Sequence, residues 1–164
     1  MATSSTTDKR DETESERLDR NTIELVNELR VAGTGVQVLF AFLLIVPFNN
    51  RWSKASDFDR YDYYVTLLCV AMAAALLIAP SVHHRLLFRH GQKEFIVQLG
   101  NQLAIAAAAF LSVGLTGILV LISNFLLGSV TAVVTGILTA SFVVTLWFVV
   151  PLRRRTPDRG RSAE

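Results

Sequence analysis

The hydrophobic pattern divides the chain into a polar lead, four apolar runs and a polar tail. Residues 1–15, MATSSTTDKRDETES, hold little but Ser, Thr and charge. Nothing there can pack, so the stretch is expected to be a disordered tail. From Glu16 to Arg30 the pattern turns helical. Leu18, Thr22, Leu25, Val26 and Leu29 fall at offsets 0, 4, 7, 8 and 11, one face of a 3.6-residue repeat. Asn21 with Glu24 three residues on resembles a capping box. Residues 16–30 therefore predict a short amphipathic cytoplasmic helix leading into the first apolar run. Its four acids (Glu16, Asp19, Glu24, Glu28) against three arginines (Arg17, Arg20, Arg30) make it a poor anchor on anionic lipid.

The apolar runs predict four transmembrane helices at about 31–48, 63–82, 95–122 and 126–152. The first has 18 residues, and at 1.5 Å per residue it reaches about 27 Å, enough for the hydrocarbon core. The last two share a stretch of 58 residues, 95–152, without Asp, Glu, Lys or Arg. That is too long for one span and fits two joined by a tight hairpin, with Ser123, Asn124, Gly128 and Ser129 supplying turn chemistry. The fold class is thus an all-α membrane protein. Residues 31–152 form a four-transmembrane-helix bundle, and 153–164 a basic disordered tail.

Composition sharpens this picture by exclusion. Hydrophobic residues make up 51% of the 164 and charged residues 18%, too little charge for an ordinary soluble domain. The single cysteine, Cys69, rules out a disulfide scaffold and sits among Leu68, Val70 and Ala71 as a small hydrophobe. The net charge of +2 does not argue for nucleic acid, because the basic residues flank the apolar runs and lack interleaved aromatics.

Charge placement gives an orientation. With four spans, thirteen of the 16 Lys and Arg fall on the side of the two termini and the second loop, and three on the other. The positive-inside rule then puts both termini in the cytoplasm of a plasma membrane. Trp52, Phe58, Tyr61, Tyr63 and Tyr64 would form an aromatic belt at the outer interface. In the tail, Arg153, Arg154 and Arg155 are candidates for anionic lipid headgroups.

Lipid removes the hydrophobic drive between helices, so close approach depends on small residues. Three spans carry such residues at every fourth position: Ala71, Ala75 and Ala79; Ala104, Ala108, Ser112 and Thr116; Ala132, Gly136 and Ala140. These rows are the helix-packing candidates. The intramembrane polar candidates are Gln37, Gln98, Asn101 and Gln102, for which hydrogen-bonded glue between helices is favoured over a vestibule.

Candidate chemistry is thin. His83 and His90 are seven apart, about 10 Å on a continuous helix, too far to share an ion. Asp57, Asp59 and Asp62 suit the cap of the second span better than a cation site. No catalytic arrangement, metal site or cofactor is expected.

The segments ELRVAGTGVQVLFAFLLIVPF, the tyrosine-rich stretch before YVTLL, and LLIAPSVHHRLLFRHGQKEF resemble domain-of-unknown-function family 6328, small actinobacterial membrane proteins. Arg30, Gly35, Gln37, Pro80, His84 and Gly91 carry the likeness, which covers about residues 16–155. The resemblance implies a four-span bundle in a bacterial plasma membrane and brings no assigned activity. The expected function is a non-enzymatic interaction or accessory component, with a homo-oligomer or a membrane protein partner. The alternative is an oligomeric transporter or channel subunit, with ion coupling as one form of it. Coupled transport calls for ionisable residues at membrane depth, and the four runs hold none mid-span.

Overall fold

The computed structural model describes residues 14–87 and 93–154. Helix α1 spans Glu14–Ile45, α2 Asp57–Leu87, α3 Lys93–Leu127, α4 Ser129–Val144 and the short α5 Val150–Arg154. Four segments are long and apolar enough to cross a membrane: Asn27–Phe48, Asp57–Val82, Gln98–Leu127 and Ser129–Arg153. No strand occurs among the described residues. The chain therefore has the all-α, four-span architecture that its apolar runs predict.

Helix α1 runs without a break from the amphipathic segment into the first span. It ends where Pro47 enters a 3-10 turn, Val46–Phe48, at a position that tolerates a missing N–H. A second 3-10 turn, Asn50–Lys54, follows, and the Asn49 side chain accepts from the Arg51 N–H at 3.0 Å. Pro80 lies inside α2, which continues through it. The α3–α4 hairpin is tighter than the sequence suggests. Ser123 and Asn124 stay helical, and the reversal falls on Gly128 alone, at φ 92°, where a Cβ would be strained. Beyond α4 the helix widens to a π turn at Thr145–Val149. Pro151 has no N–H to return to the carbonyl of Trp147, four residues back, so the regular ladder cannot continue there.

Among the described residues, α2 and α3 make the most extensive pairing; α1 packs chiefly on α2, and α4 on α3. The core is one cluster. Leu29, Val36 and Leu43 come from α1 at seven-residue spacing, Tyr63, Val70, Ala73 and Leu77 from α2, and Ala107 and Leu121 from α3. Among the four spans, α4 is the least buried within the bundle.

One end of the bundle holds the α1–α2 connection and the α3–α4 turn. It is tied down by Tyr63, whose hydroxyl donates to the Leu43 carbonyl at 3.2 Å. The Trp52 ring meets Tyr63 edge-on with centroids 5.0 Å apart. Of the five aromatics expected in a belt, Phe58, Tyr61 and Tyr64 are exposed, as a belt requires. Tyr63 is instead buried, because it lies on the stripe of α2 that faces the core.

Candidate functional site

Helix α2 begins at a reciprocal cap. The Ser56 N–H donates to Asp59 Oδ2 at 2.9 Å, and the Asp59 N–H donates to Ser56 Oγ at 3.2 Å. The Ser56 hydroxyl also donates to Asp59 Oδ2 at 2.7 Å. The second oxygen of Asp59 reaches across the bundle, where Asn124 Nδ2 near the end of α3 donates to Oδ1 at 2.7 Å. Asp59 is only 4% exposed. Capping by the acids ahead of the second span is thus realised at Asp59, with a cross-helix bond added.

Asp62 does something else. One turn further along α2 its side chain faces α3, and Oδ2 is buried without a hydrogen-bond partner. Thr66, four residues on, is 1% exposed, and its Oγ1 is likewise buried and unpartnered. Both line a cavity of about 300 Å³ between α2, α3 and α4. Across it stand Ser112 and Thr116, whose hydroxyls donate back to the Ala108 and Ser112 carbonyls at 2.7 and 2.8 Å.

Glycines bring the two helices this close. A Cβ on Gly117 would overlap Thr66 Oγ1 and stand 3.3 Å from Asp62 Oδ1. On Gly114 it would come within 2.7 Å of Val70 Cγ2. A second hollow of about 610 Å³ lies alongside, lined by Phe58, Asn124, Ser129, Ala132 and Gly136 among others. Together the two hollows form an open groove between α2 and α4, floored by α3.

The small-residue rows are distributed unevenly around this groove. Ser112 is buried, while Ala104, Ala108 and Thr116 are half-buried along α3. On α4, Ala132 is buried and Ala140 half-buried, and a Cβ on Gly136 would meet Val120 Cγ2 at 2.9 Å. On α2, Ala71 and Ala79 are half-buried and Ala75 is exposed. The stripe that α2 buries is Tyr63, Thr66, Val70, Ala73 and Leu77.

Gln37, Gln98, Asn101 and Gln102 all lie on the exposed surface of the bundle and are not brought together with Asp62 and Thr66. Arg153 is exposed in α5 and Arg154 closes that helix, while Arg155 lies outside the described residues. His83 and His84 fall on α2, and His90 lies outside the described residues.

Sequence reasoning missed Asp62 and Thr66 as a pair. The signal was present: Asp59, Asp62 and Thr66 occupy offsets 0, 3 and 7, and the same helical face continues through Val70, Ala73 and Leu77. An acid on the buried stripe of a spanning helix marks a site, not a loop.

No curated protein and no solved structure matches the chain. The profile of the family of unknown function DUF6328 matches residues 11–151, nearly the whole length, and the chain belongs to that family.

Proposed function

We propose that the protein is a non-enzymatic, multi-pass component of a bacterial plasma membrane that acts by associating with another membrane protein. The observation that carries this reading is the open groove between α2 and α4. Because α4 packs on α3, the groove stays uncovered along the two hollows. The larger hollow, lined by Phe58, Asn124, Ser129, Ala132 and Gly136 among others, takes a transmembrane helix of a different protein. The glycines of α3 and α4 are spent internally, Gly114 and Gly117 against α2 and Gly136 against α3. The chain's outward faces are bulky, as at Phe42, Ile45, Ile137, Leu138 and Phe142. A second copy would bring bulk where close approach in lipid needs small side chains.

The uneven charge, thirteen Lys and Arg against three, supports cytoplasmic termini. The arginines of the tail would then meet anionic headgroups, each adding about 1 kcal/mol of attraction.

The test is mass spectrometry of the tagged protein extracted from its native membrane in mild detergent. A stoichiometric second protein supports the accessory reading. A homo-oligomer carrying only lipid refutes it and favours the second reading, an oligomeric transport or channel subunit. One observation favours that alternative: the unpartnered Asp62 and Thr66 oxygens inside a spanning helix.

A further inference from the structure

We propose that Asp62 and Thr66 of α2, closed by Ser112 and Thr116 of α3, form a binding site for one small monovalent cation, sodium in type. The inference uses the same two oxygens that favour the transport reading, but a bound cation is compatible with either role. It rests on what the cavity offers. The polar side chains that line it, Asp62, Thr66, Ser112 and Thr116, carry only oxygen. The Ser112 and Thr116 hydroxyls have committed their protons to backbone carbonyls of α3, which leaves oxygen lone pairs available. Asp62 Oδ2 and Thr66 Oγ1 are buried with no partner at all. A buried polar group without a partner carries a full desolvation cost, so two of them on residues that line one cavity call for an occupant.

The charge balance selects the class of ion. Asp62 brings one negative charge. The nearest second carboxylate, Asp59, has its oxygens engaged by Ser56 and Asn124. Neither α3 beyond Glu94 nor α4 carries an Asp, Glu, Lys or Arg, and Arg60 is exposed on α2. Arg51 and Lys54, in the turn ahead of α2, are exposed as well; among the described residues no cation answers Asp62, and a divalent ion would leave a net positive charge in an apolar wall. Among the described residues no three His, Cys, Asp or Glu gather, which sets aside a transition-metal centre. Hard oxygen donors with a single carboxylate suit an alkali cation. The cavity, about 300 Å³, has room for the ion and several waters. Asp62 lies five residues into α2, about 8 Å from the helix start, so an ion reaches it from the end with the 3-10 turns.

The experiment measures radioactive sodium binding to the purified full chain in nanodiscs at constant ionic strength, with choline as the replacement. Saturable binding near one ion per chain is expected. Asp62→Asn, of equal size, should abolish it. Thr66→Ala should weaken it about tenfold, and Thr66→Ser should restore it. A second measurement needs no variant. An apolar carbodiimide should modify the Asp62 carboxyl of the wild-type chain, read by peptide mass spectrometry, and sodium but not choline should suppress the modification. Absence of saturable sodium binding overturns the proposal. So does carbodiimide labelling that no alkali cation suppresses, which would leave the proton as the only cation Asp62 takes.

Discussion

Gly117 gives the seam between α2 and α3 a sharp test. In Gly117→Ala the added methyl would overlap Thr66 Oγ1 and stand 3.2 Å from Thr66 Cβ. Thr66 is 1% exposed and β-branched, so it has little freedom to swing away. Overpacking of this kind costs about 1–3 kcal/mol. Replacing a glycine within a helix returns about 1 kcal/mol, which leaves a net loss of about 1 kcal/mol. Gly35→Ala is the matched control, since a Cβ there meets nothing within 4 Å and only the helix gain remains. The two variants should therefore differ by about 1–3 kcal/mol, the steric part alone. The assay is reversible unfolding in SDS followed by tryptophan fluorescence, with Trp52 as a reporter against Tyr63. Adding Thr66→Ala to Gly117→Ala should recover much of the loss, a coupling that distant sites do not have. If Gly117→Ala is as stable as Gly35→Ala, the close approach of α2 and α3 is wrong.

Two other substitutions probe the same end of the bundle. Tyr63→Phe removes the bond to the Leu43 carbonyl while keeping the ring against Trp52, and should cost about 0.5–1.5 kcal/mol in the same unfolding assay. Gly128→Ala places a Cβ at φ 92° in the α3–α4 reversal and should cost about 1–3 kcal/mol although nothing crowds it.

The spans were legible because a long apolar run declares itself whatever it packs against. The run without charge from 95 to 152 needed only one reversal, and a positive φ at Gly128 made that reversal shorter than a multi-residue turn. The start of the second span was harder to see. Three aspartates in six residues look like a loop, yet Ser56 and Asn124 satisfy Asp59 well enough for α2 to begin at Asp57. That shift carries Asp62 onto the helix and into the seam. The α2 packing face was also displaced. A strict four-residue row drifts around a helix of 3.6 residues per turn, which leaves Ala75 exposed, while steps of three and four keep Thr66, Val70, Ala73 and Leu77 facing α3 and α1. The unpartnered oxygens of Asp62 and Thr66 were beyond the sequence, because they depend on which glycine of α3 stands opposite.

The most direct measurement is disulfide trapping across that seam. In a Cys69→Ala background, Thr66→Cys and Gly117→Cys place two Cβ atoms about 3.2 Å apart, a few tenths of an ångström below the roughly 3.5–4.5 Å of disulfides, a gap that a small shift of α3 closes. Mild oxidation in native membranes should bridge them nearly completely within one chain, read by intact mass before and after reduction. Thr66→Cys paired with Gly35→Cys should stay reduced. Free thiols in the Thr66–Gly117 pair, or bridging no faster than in the control pair, would contradict the packing that creates the site.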